Sequence, residues 1–516
     1  MNLIDFFDRG AMHYPDRDCF VAGERRYRYR QVRALTLRLA NGLRGLGFGE
    51  NKKGAVLSFN DPISFSCALA ILRTGGAWVP LNPKSGVDEQ AHVLAQFECE
   101  VVFYQAQLAA VVDALRARVP NVRHWRCIDA AVGHEPAVVE WAAQLSEDEV
   151  DLPPNPERLA MLVGTGGTTG RPKGVMLSNR SVETFSATTL AVMPHEAPPV
   201  YLAAAPLTHA AGILCFPLFA EGATIVVHTK VDPQAILASI ARDRVTTLFL
   251  PPTAIYMLLA QPNVRDFDYS SLRYFIYGAA PMSTDKLKEA LGVFGPVMAQ
   301  LYGQSESPML VTFLTPREHF ERGAIAGDAR LRSCGRVTPF TRASIMDDEG
   351  RHLPVGEVGE IVVRGDLVMS GYYRDTAETV AASEHGWHHT GDLGYRDAEG
   401  YFTIVDRKKD LIISGGFNIY PGEIEQVLWS HPAVQDCAVI GVPDDKWGEA
   451  VKALVELKPG QTVAAQALID FCKMRLSSVK APKTIEIRDS LPRSPIGKVL
   501  KKDLRATYWQ GQPRQI

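Results

Sequence analysis

The stretch GGTTGRPKGV, residues 166–175, combines the residue types that bind a polyanion. Its glycines allow positive φ angles and expose successive backbone N–H groups, its threonines add hydroxyl donors, and Lys173 adds a positive charge. Gly174 follows the lysine where a P-loop has Ser or Thr, and the stretch does not match G-x-G-x-x-G. The composition therefore predicts a polyphosphate-binding loop of unusual spacing, with a mobile surface loop as the alternative.

A second stretch, QLYGQSESP at 300–308, carries one carboxylate after a glycine turn. A carboxylate in this position could bind a magnesium ion that bridges phosphate oxygens. Glutamate is also common in solvated loops, so Glu306 alone does not decide between the two interpretations.

Two further stretches carry charged residues in glycine-rich surroundings. Asp392 could accept hydrogen bonds from a ribose diol, and Arg407 could bind the same ribose or a phosphate, although both could equally be surface residues of turns. In SPIGKVLKKDLR, residues 494–505, Lys498 follows a Pro/Gly turn about ninety residues beyond Arg407.

The elements that must position these stretches follow from the hydrophobic pattern. Helical spacing over YRQVRALTLRLANGLRGLG and the buried-strand runs KGAVLSF and CEVVFY alternate within residues 25–150. Similar runs return in PVYLAAAPL, ATIVVHT, VTTLFLPP and LRYFIYGAAP, with a helix predicted over PQAILASIARDR. This alternation predicts an α/β protein with two layered subdomains of the parallel type.

The remaining domain boundaries are predicted from changes in the pattern of strands, turns and charges along the sequence. LVGTGGTTGRPKGVMLSNRSV predicts a strand, a glycine-rich loop and then a helix, and residues 330–405 predict a small β-rich, barrel-like subdomain. The charged run DRKKD at 406–410 indicates a hinge. We therefore expect a large N-terminal domain over 1–407 and a small, mobile α+β C-terminal domain over 408–516.

Composition excludes several classes of function. Lys plus Arg total 55 against 58 Asp plus Glu, and this net charge of -3 predicts no nucleic-acid partner. The first residues lack the pattern of a signal peptide, and no window of 18 residues is uncharged and apolar, so we expect a cytoplasmic protein without a transmembrane segment. The eight cysteines are scattered without metal-ligand spacing, which predicts reduced structural thiols.

Taken together and in this order, the four stretches resemble the core motifs of the adenylate-forming superfamily. This superfamily includes acyl-CoA synthetases, aryl-CoA ligases, nonribosomal-peptide adenylation domains and beetle luciferases, and the resemblance extends along essentially the whole chain. It implies that a carboxylic acid and ATP form an acyl-adenylate and pyrophosphate, with Mg²⁺, before the acyl group passes to a thiol. A carboxylate is a poor electrophile whereas AMP leaves readily, and in-line attack on the α-phosphorus depends on positioning and charge neutralisation.

The resemblance also implies roles for particular residues. Lys498, Lys173, Glu306 and His209 would be catalytic, with Lys498 bridging the acyl carboxylate and the α-phosphate, and Glu306 and Thr165 would lie at the metal. The nucleotide site would comprise Thr165, Gly166, Gly167, Thr168, Thr169, Gly170 and Lys173 at the β- and γ-phosphates, Gly278, Ala279, Ala280, Pro281 and Tyr302 around the adenine, Asp392 and Arg407 at the ribose, and also Gly303, Gln304, Ser305 and Ile404. Gly166 stands where the family usually has serine, and Ser305 where it usually has threonine.

For the other substrates, the resemblance places His209 at a gate beside the acyl carboxylate, with a core histidine as the alternative. The acyl pocket would be formed by Phe185, His209, Ile213, Leu214, Tyr256, Gly278, Met298 and Met309. Gly415 and Gly416 would line a pantetheine tunnel, Trp447 would stack on the CoA adenine or simply pack, and Lys409 would be the hinge residue. No acidic residue occurs between Tyr201 and Ala220 to pair a substrate ammonium group, which favours an apolar acid over an amino acid.

These implications predict an AMP-forming acyl-CoA ligase for a fatty, branched or aromatic acid, with ATP, Mg²⁺ and coenzyme A. One alternative is an enzyme that loads the phosphopantetheine thiol of a carrier protein, which would act in trans because we expect no carrier domain after residue 516. The other alternative is a catalytically silent binding protein on the same scaffold, against which the retained charged residues of the four stretches argue. A homodimer is left open.

Overall fold

The structure, a computed structural model, describes residues 1–166, 172–493 and 499–510. The first part of the chain alternates helices and strands, as predicted. It comprises α1 (Ile4–His13), β1 (Asp18–Ala22), β2 (Arg25–Arg28), α2 (Tyr29–Gly45), β3 (Lys53–Leu57), α3 (Pro62–Arg73), β4 (Ala77–Leu81), α4 (Val87–Gln96), β5 (Cys99–Tyr104), α5 (Ala109–Arg116), β6 (His124–Cys127) and α6 (Val138–Ala142).

The second part, which contains the glycine-rich stretch, continues this alternation. It comprises β7 (Leu159–Gly166), β8 (Pro172–Ser178), α7 (Asn179–Val192), β9 (Val200–Ala203), α8 (Ala210–Ile213), α9 (Cys215–Ala220), β10 (Thr224–Val227), α10 (Pro233–Arg242), β11 (Thr247–Leu250), α11 (Pro252–Leu259), β12 (Tyr274–Tyr277), α12 (Thr284–Phe294), β13 (Met298–Tyr302), β14 (Thr312–Leu314), β15 (Phe320–Glu321), β16 (Ala324–Ile325), α13 (Asp328–Arg332) and β17 (Arg336–Val337).

The third part is richer in strands and is followed by a mixed unit. It comprises β18 (Arg342–Met346), β19 (Gly359–Arg364), β20 (Gly371–Tyr372), α14 (Thr376–Ala381), β21 (His388–Arg396) and β22 (Phe402–Arg407). The last unit comprises β23 (Ile412–Ser414), β24 (Phe417–Ile419), α15 (Pro421–Trp429), β25 (Val434–Asp444), β26 (Gly448–Leu457), α16 (Ala465–Arg475), β27 (Thr484–Arg488) and α17 (Lys501–Ala506). Short 3-10 helices cover Ala106–Leu108, Pro316–His319, Glu384–Gly386 and Lys408–Asp410.

Two large sheets form the body of the protein and confirm the predicted α/β class. One has nine strands in the order β17-β14-β13-β12-β11-β9-β10-β1-β2, and its strands from β13 to β1 run parallel. The other has seven strands in the order β20-β8-β7-β4-β3-β5-β6, with a parallel run from β7 to β6. Nearly every strand of the parallel runs is buried, as expected for sheets covered by helices.

The predicted β-rich subdomain is an antiparallel sheet in the order β18-β19-β21-β22. The last unit forms a five-stranded sheet in which the long pair β25 and β26 is antiparallel and β27 runs parallel to β26. Its apolar residues form two buried clusters of their own, around Val439 and around Ile440. Successive side chains of β25 thus pack into separate clusters on the two faces of this sheet.

The prediction of strand, glycine-rich loop and helix is wrong in one respect, because a second strand precedes the helix. β8 pairs antiparallel with β7, so that Thr165 lies opposite Lys173 and Gly166 opposite Pro172. Helix α7 begins only after Ser178, whose hydroxyl accepts a hydrogen bond from the Ser181 N–H at 3.3 Å. The stretch therefore joins the two strands of a hairpin, and the anion-binding potential of a helix N-terminus does not apply to it.

The described residues also bear on the cysteines and on membrane-spanning helices. All eight cysteines are free and buried. Across residues 1–166, 172–493 and 499–510, no helix is both long enough and apolar enough to cross a membrane.

Candidate active site

The predicted phosphate side of the site begins with Lys173, at the start of β8. Its ammonium group forms an ion pair with the carboxylate of Glu378, from α14, and lies 5.3 Å from the centre of the Tyr372 ring. A cation above an aromatic face is attracted by the negative charge of that face. The predicted residues Gly167, Thr168, Thr169 and Gly170 lie outside the described residues. Among the predicted phosphate-binding side chains, the structure therefore describes Thr165 and Lys173.

Tyr372 also contacts the predicted metal-binding carboxylate. Its hydroxyl donates a hydrogen bond to Glu306 Oε1 at 2.9 Å, and the backbone N–H of Met369 donates to the Glu306 carbonyl at 2.8 Å. Burial, followed by the charge of Glu306, raises the pKa of Tyr372 well above its usual value, so the hydroxyl keeps its proton. One tyrosine thus links Lys173 and Glu306. We call Lys173, Glu306, Tyr372 and Glu378 the phosphate-side cluster.

The residues of the phosphate-side cluster are compatible with one magnesium ion. The described residues contain no group of three or more His, Cys, Asp or Glu side chains that could hold a metal. Mg²⁺ commonly binds one or two carboxylates and completes its octahedral shell with substrate phosphates and water. Glu306, half-buried in the loop between β13 and β14, offers one such carboxylate near Lys173.

The predicted ribose side of the site is built on β21 and β22. Asp392 is 3% exposed and lies opposite Arg407 in the antiparallel pair. Arg407 Nε lies 2.6 Å from Asp392 Oδ1, and the Tyr302 hydroxyl donates to Asp392 Oδ2 at 2.8 Å. Burial, followed by the charge of Asp392, raises the pKa of Tyr302. We call Asp392, Arg407, Tyr302 and the nearby Gln304 the ribose-side cluster, and Ile404 lies on the same strand as Arg407.

The predicted adenine segment, Gly278–Pro281, follows strand β12 at the carboxyl edge of the parallel run. A Cβ atom at Gly278 would lie 2.6 Å from the carbonyl oxygen of Leu301, and one at Gly303 would lie 2.5 Å from the backbone nitrogen of Met309. Larger residues at these two positions would therefore displace backbone. In open α/β sheets this edge is the usual place for a nucleotide.

The predicted acyl residues fall into two groups. Phe185, Ile213, Leu214 and Met309 belong to one buried apolar cluster that also includes Tyr302. Met298 belongs to a second cluster, and Tyr256 packs against that second cluster. The Tyr256 hydroxyl accepts a hydrogen bond from the Ser283 N–H at 2.8 Å.

The predicted gate residue, His209, is half-buried immediately before α8. Its Nδ1 lies 3.0 Å from the Thr208 hydroxyl. Burial lowers the pKa of His209, which favours the neutral ring at neutral pH. A neutral imidazole can approach a substrate carboxylate as a hydrogen-bond donor without adding a buried charge.

The predicted coenzyme side lies on the last unit of the chain. Gly415 (φ +57°) and Gly416 (φ +81°) form the turn between β23 and β24. The Gly415 N–H donates to the Trp447 carbonyl at 2.8 Å, and a Cβ atom at Gly415 would lie 2.5 Å from Trp447 Cε3. The Trp447 side chain thus covers Gly415 yet stays 43% exposed, and the Lys446 ammonium group lies 4.7 Å from the centre of its ring.

The predicted hinge residue, Lys409, lies in the 3-10 helix Lys408–Asp410, and burial lowers its pKa. The next residue, Asp410, forms an ion pair with Arg505 of α17, with 2.5 Å between Oδ1 and the guanidinium nitrogen. Lys501, also on α17, has its ammonium group 2.7 Å from Glu425 Oε1. Helix α17, which follows Lys498 in the chain, therefore contacts the predicted hinge through the Arg505–Asp410 ion pair. Lys498 itself lies outside the described residues.

Sequence reasoning missed three residues that contact the site residues: Tyr372, Glu378 and His388. Tyr372 follows Gly371, whose φ of +140° marks a special backbone position, and the pair could have suggested a structural turn. Glu378 and His388 carry no local signal, because their partners Lys173 and Gln304 are distant in sequence.

Comparison with known protein families gives matches over most of the chain. The model of the AMP-binding enzyme family matches residues 7–373, and the model of the AMP-binding enzyme C-terminal domain matches residues 423–498.

Individual relatives and solved structures agree with this assignment. The chain is 36% identical over 498 residues to the medium/long-chain-fatty-acid–CoA ligase FadD8 of Mycobacterium tuberculosis, covering 91% of this chain and 84% of that one. It is 36% identical over 486 residues to a feruloyl-CoA synthase of Amycolatopsis, covering 93% and 94%. The amide bond synthetase McbA of Marinactinospora thermotolerans superimposes with a TM-score of 0.89 at 29% identity, covering 98% and 100%. ATP-bound MatB of Rhodopseudomonas palustris gives a TM-score of 0.88 at 29% identity, covering 98% and 99%.

The family matches and the curated relatives thus confirm the resemblance inferred from the four stretches. The chain belongs to the AMP-binding enzyme family of the adenylate-forming superfamily and is an ATP-dependent acid–thiol ligase of the acyl-CoA synthetase type.

Proposed function

We propose that this ligase activates an apolar carboxylic acid, aliphatic or aromatic, with MgATP in the cytoplasm and transfers the acyl group to coenzyme A. The observation that carries the activation step is the contact of Tyr372 with both Lys173 and Glu306. It brings a cation and a carboxylate to the same point beside the candidate phosphate loop. A triphosphate and its metal ion require this pair of charges.

In the activation step, the residues of the chain orient ATP and neutralise its charge. We propose that Thr165 and Lys173 bind the β- and γ-phosphates, with Gly167, Thr168, Thr169 and Gly170 between them. Glu306 would hold Mg²⁺, which when bound draws phosphate oxygens together and offsets their charge. The ribose hydroxyls would bind Asp392, whose geometry is fixed by Tyr302 and Arg407.

The proposed class of acid rests on the acyl-side residues. Phe185 and Leu214 are buried, Ile213 is 8% exposed and Met309 is 7% exposed, and the segment 201–220 carries no acidic side chain. An apolar tail would gain from this surface, whereas an ammonium group would lose its hydration without a partner. His209 would face the carboxylate as a neutral donor. The relatives whose names specify fatty and aromatic acids agree with this range.

For the transfer step, we propose that the chain divides at 407/408 and that the C-terminal domain rotates about Lys409. One orientation would bring Lys498 to the α-phosphate for adenylation. The other would bring Gly415 and Gly416 to the acyl-adenylate, where the absence of side chains admits the thin pantetheine arm.

Pyrophosphate release with a panel of straight-chain, branched, aromatic and polycyclic acids tests the acid class, with ATP and MgCl₂ present. We expect release with apolar acids and none with amino acids, and the reverse pattern would contradict the proposal. Parallel reactions with free coenzyme A and with a pantetheinylated carrier protein identify the acceptor. Thioester formation on the carrier alone would overturn the assignment of coenzyme A.

Variants separate the two half-reactions. Lys498→Ala should abolish adenylate formation and leave transfer from preformed adenylate largely intact. Gly416→Leu should impair transfer more than adenylation, because its side chain would enter the tunnel. Equal loss of both half-reactions in both variants would contradict the proposed domain rotation.

A further inference from the structure

The side chain of Gln304 connects the ribose-side cluster to a buried histidine. Gln304 Nε2 lies 3.1 Å from the Thr390 carbonyl and 3.5 Å from Asp392 Oδ2, and Gln304 Oε1 lies 3.3 Å from His388 Nε2. Because a carbonyl and a carboxylate only accept hydrogen bonds, the NH₂ group of Gln304 must face Thr390 and Asp392. Its oxygen therefore faces His388.

The protonation state of His388 follows from this orientation. The Gln304 oxygen is an acceptor, so His388 Nε2 must carry the proton that it donates. Burial lowers the pKa of His388 to about 4, against a smaller opposing effect of the Ala382 carbonyl, and the ring is therefore neutral at neutral pH.

The strand explains why His388 can reach this position. Side chains alternate along β21, and His388, Thr390 and Asp392 are buried on one face. The neighbouring residue, His389, points to the other face, where its Nδ1 lies 3.1 Å from Glu360 Oε2. The chain thus carries two adjacent histidines with different surroundings, and only one of them contacts Gln304.

We propose that His388 is a positioning residue for the ribose site: its Nε2–H group fixes the amide of Gln304, which in turn orients the carboxylate of Asp392. Without this donor the Gln304 amide could rotate by half a turn. Its oxygen would then face the Asp392 carboxylate and repel it, and the NH₂ group would leave the ribose-side cluster. The inference rests on the proposed role of Asp392 as the ribose-binding residue.

The test compares ATP with 2′-deoxy-ATP in pyrophosphate release, because only the former offers the complete diol. In His388→Phe, which fills a similar volume without a donor, we expect the preference for ATP over 2′-deoxy-ATP in kcat/KM to fall about 3- to 10-fold, the usual worth of one hydrogen bond. His388→Gln places an amide N–H near the position of Nε2 and should restore most of the preference. A loss that His388→Gln does not restore would overturn the proposal.

Two controls test whether His388 acts on the nucleotide preference through Gln304. His389→Phe changes the adjacent histidine on the opposite face and should leave the preference unchanged. Gln304→Met should reduce the preference as much as His388→Phe, and the double variant should lose no more than either single variant, because the two residues act in series. Additive losses, or equal effects of His388→Phe and His389→Phe, would show a general disturbance of β21 and contradict the inference.

A final variant distinguishes failure of this inference from failure of the proposed function. Asp392→Asn should itself remove most of the preference for ATP. If Asp392→Asn discriminates the two nucleotides like the wild-type enzyme, the ribose assignment is wrong. If Asp392→Asn loses the preference and His388→Phe keeps it, the ribose assignment stands and the role of His388 is wrong.

Discussion

The phosphate-side and ribose-side clusters use the same arrangement, a tyrosine hydroxyl that donates to a carboxylate beside a cation, in different surroundings. On the ribose side, Asp392 is 3% exposed and lies between two paired strands. On the phosphate side, Glu306 is half-buried, and the Lys173 and Glu378 side chains are 19% and 41% exposed. The ribose-side cluster is thus preorganised, whereas the more exposed charges of the phosphate-side cluster would exchange partners if a triphosphate binds there as proposed.

The strongest test of this difference is Asp392→Ala. It removes the carboxylate that the buried Tyr302 hydroxyl and the partly exposed Arg407 guanidinium group share. We expect a loss of about 100-fold in kcat/KM for ATP, as when a charged hydrogen-bond partner is removed from a preorganised site. Steady-state kinetics of pyrophosphate release measure it. A loss below 3-fold would show that the ribose side contributes little to ATP binding.

Lys173→Met should have the next largest effect. The variant keeps the stem of the side chain over the Tyr372 ring but removes the charge, and we expect kcat for adenylation to fall about 10- to 100-fold. Lys173→Arg, which keeps the charge, is the matched control and should retain more activity. Equal losses in the two variants would mean that the shape of the side chain, rather than its charge, matters.

The matched pair Tyr302→Phe and Tyr372→Phe compares the two clusters directly. Tyr302→Phe removes a donor from a buried carboxylate and should lower the free energy of unfolding by about 1–3 kcal/mol. Tyr372→Phe affects a carboxylate that water can reach and should cost about 0.5 kcal/mol or less. Urea denaturation of both variants measures the difference. Equal costs would contradict the distinction drawn between the clusters.

Glu378→Gln should have the smallest effect, and in the opposite direction. In the structure Glu378 neutralises Lys173, so a triphosphate must replace it. Removing this competing charge should lower KM for ATP about 2- to 5-fold, the range of a partly exposed ion pair. Titration with ATP at constant acid concentration tests this expectation, and a raised KM would show that Glu378 orients Lys173 rather than competing for it.

The fold class and the main charged residues of the site could be predicted from the sequence, because both produce local sequence patterns. Apolar periodicity predicted the strands and helices of both large sheets, and Asp392 and Arg407 stood out as charged residues in a glycine-rich stretch, which the structure shows to be strands β21 and β22 rather than surface turns. The hairpin of β7 and β8 was missed because no glycine or proline separates the end of β8 from the start of α7. Only the N-cap residue Ser178 marked the true start of α7.

Other parts of the site depend on contacts between distant residues. Lys173 and Glu378 are far apart in the chain, as are Gln304 and His388, and nothing in either local pattern identifies the partner. The same holds for Trp447 over Gly415, which the sequence placed near one ligand without predicting their contact. Such pairs are properties of the folded chain.

The burial of all eight cysteines has a chemical consequence for an enzyme that makes a reactive mixed anhydride. Burial raises the pKa of thiols such as Cys19, Cys67 and Cys437, so almost none of them is present as the nucleophilic thiolate at neutral pH. These buried thiols are therefore poor nucleophiles toward the activated acid while it waits for its acceptor. For the same reason, a colorimetric thiol reagent added to the folded enzyme should report the consumption of coenzyme A with little background.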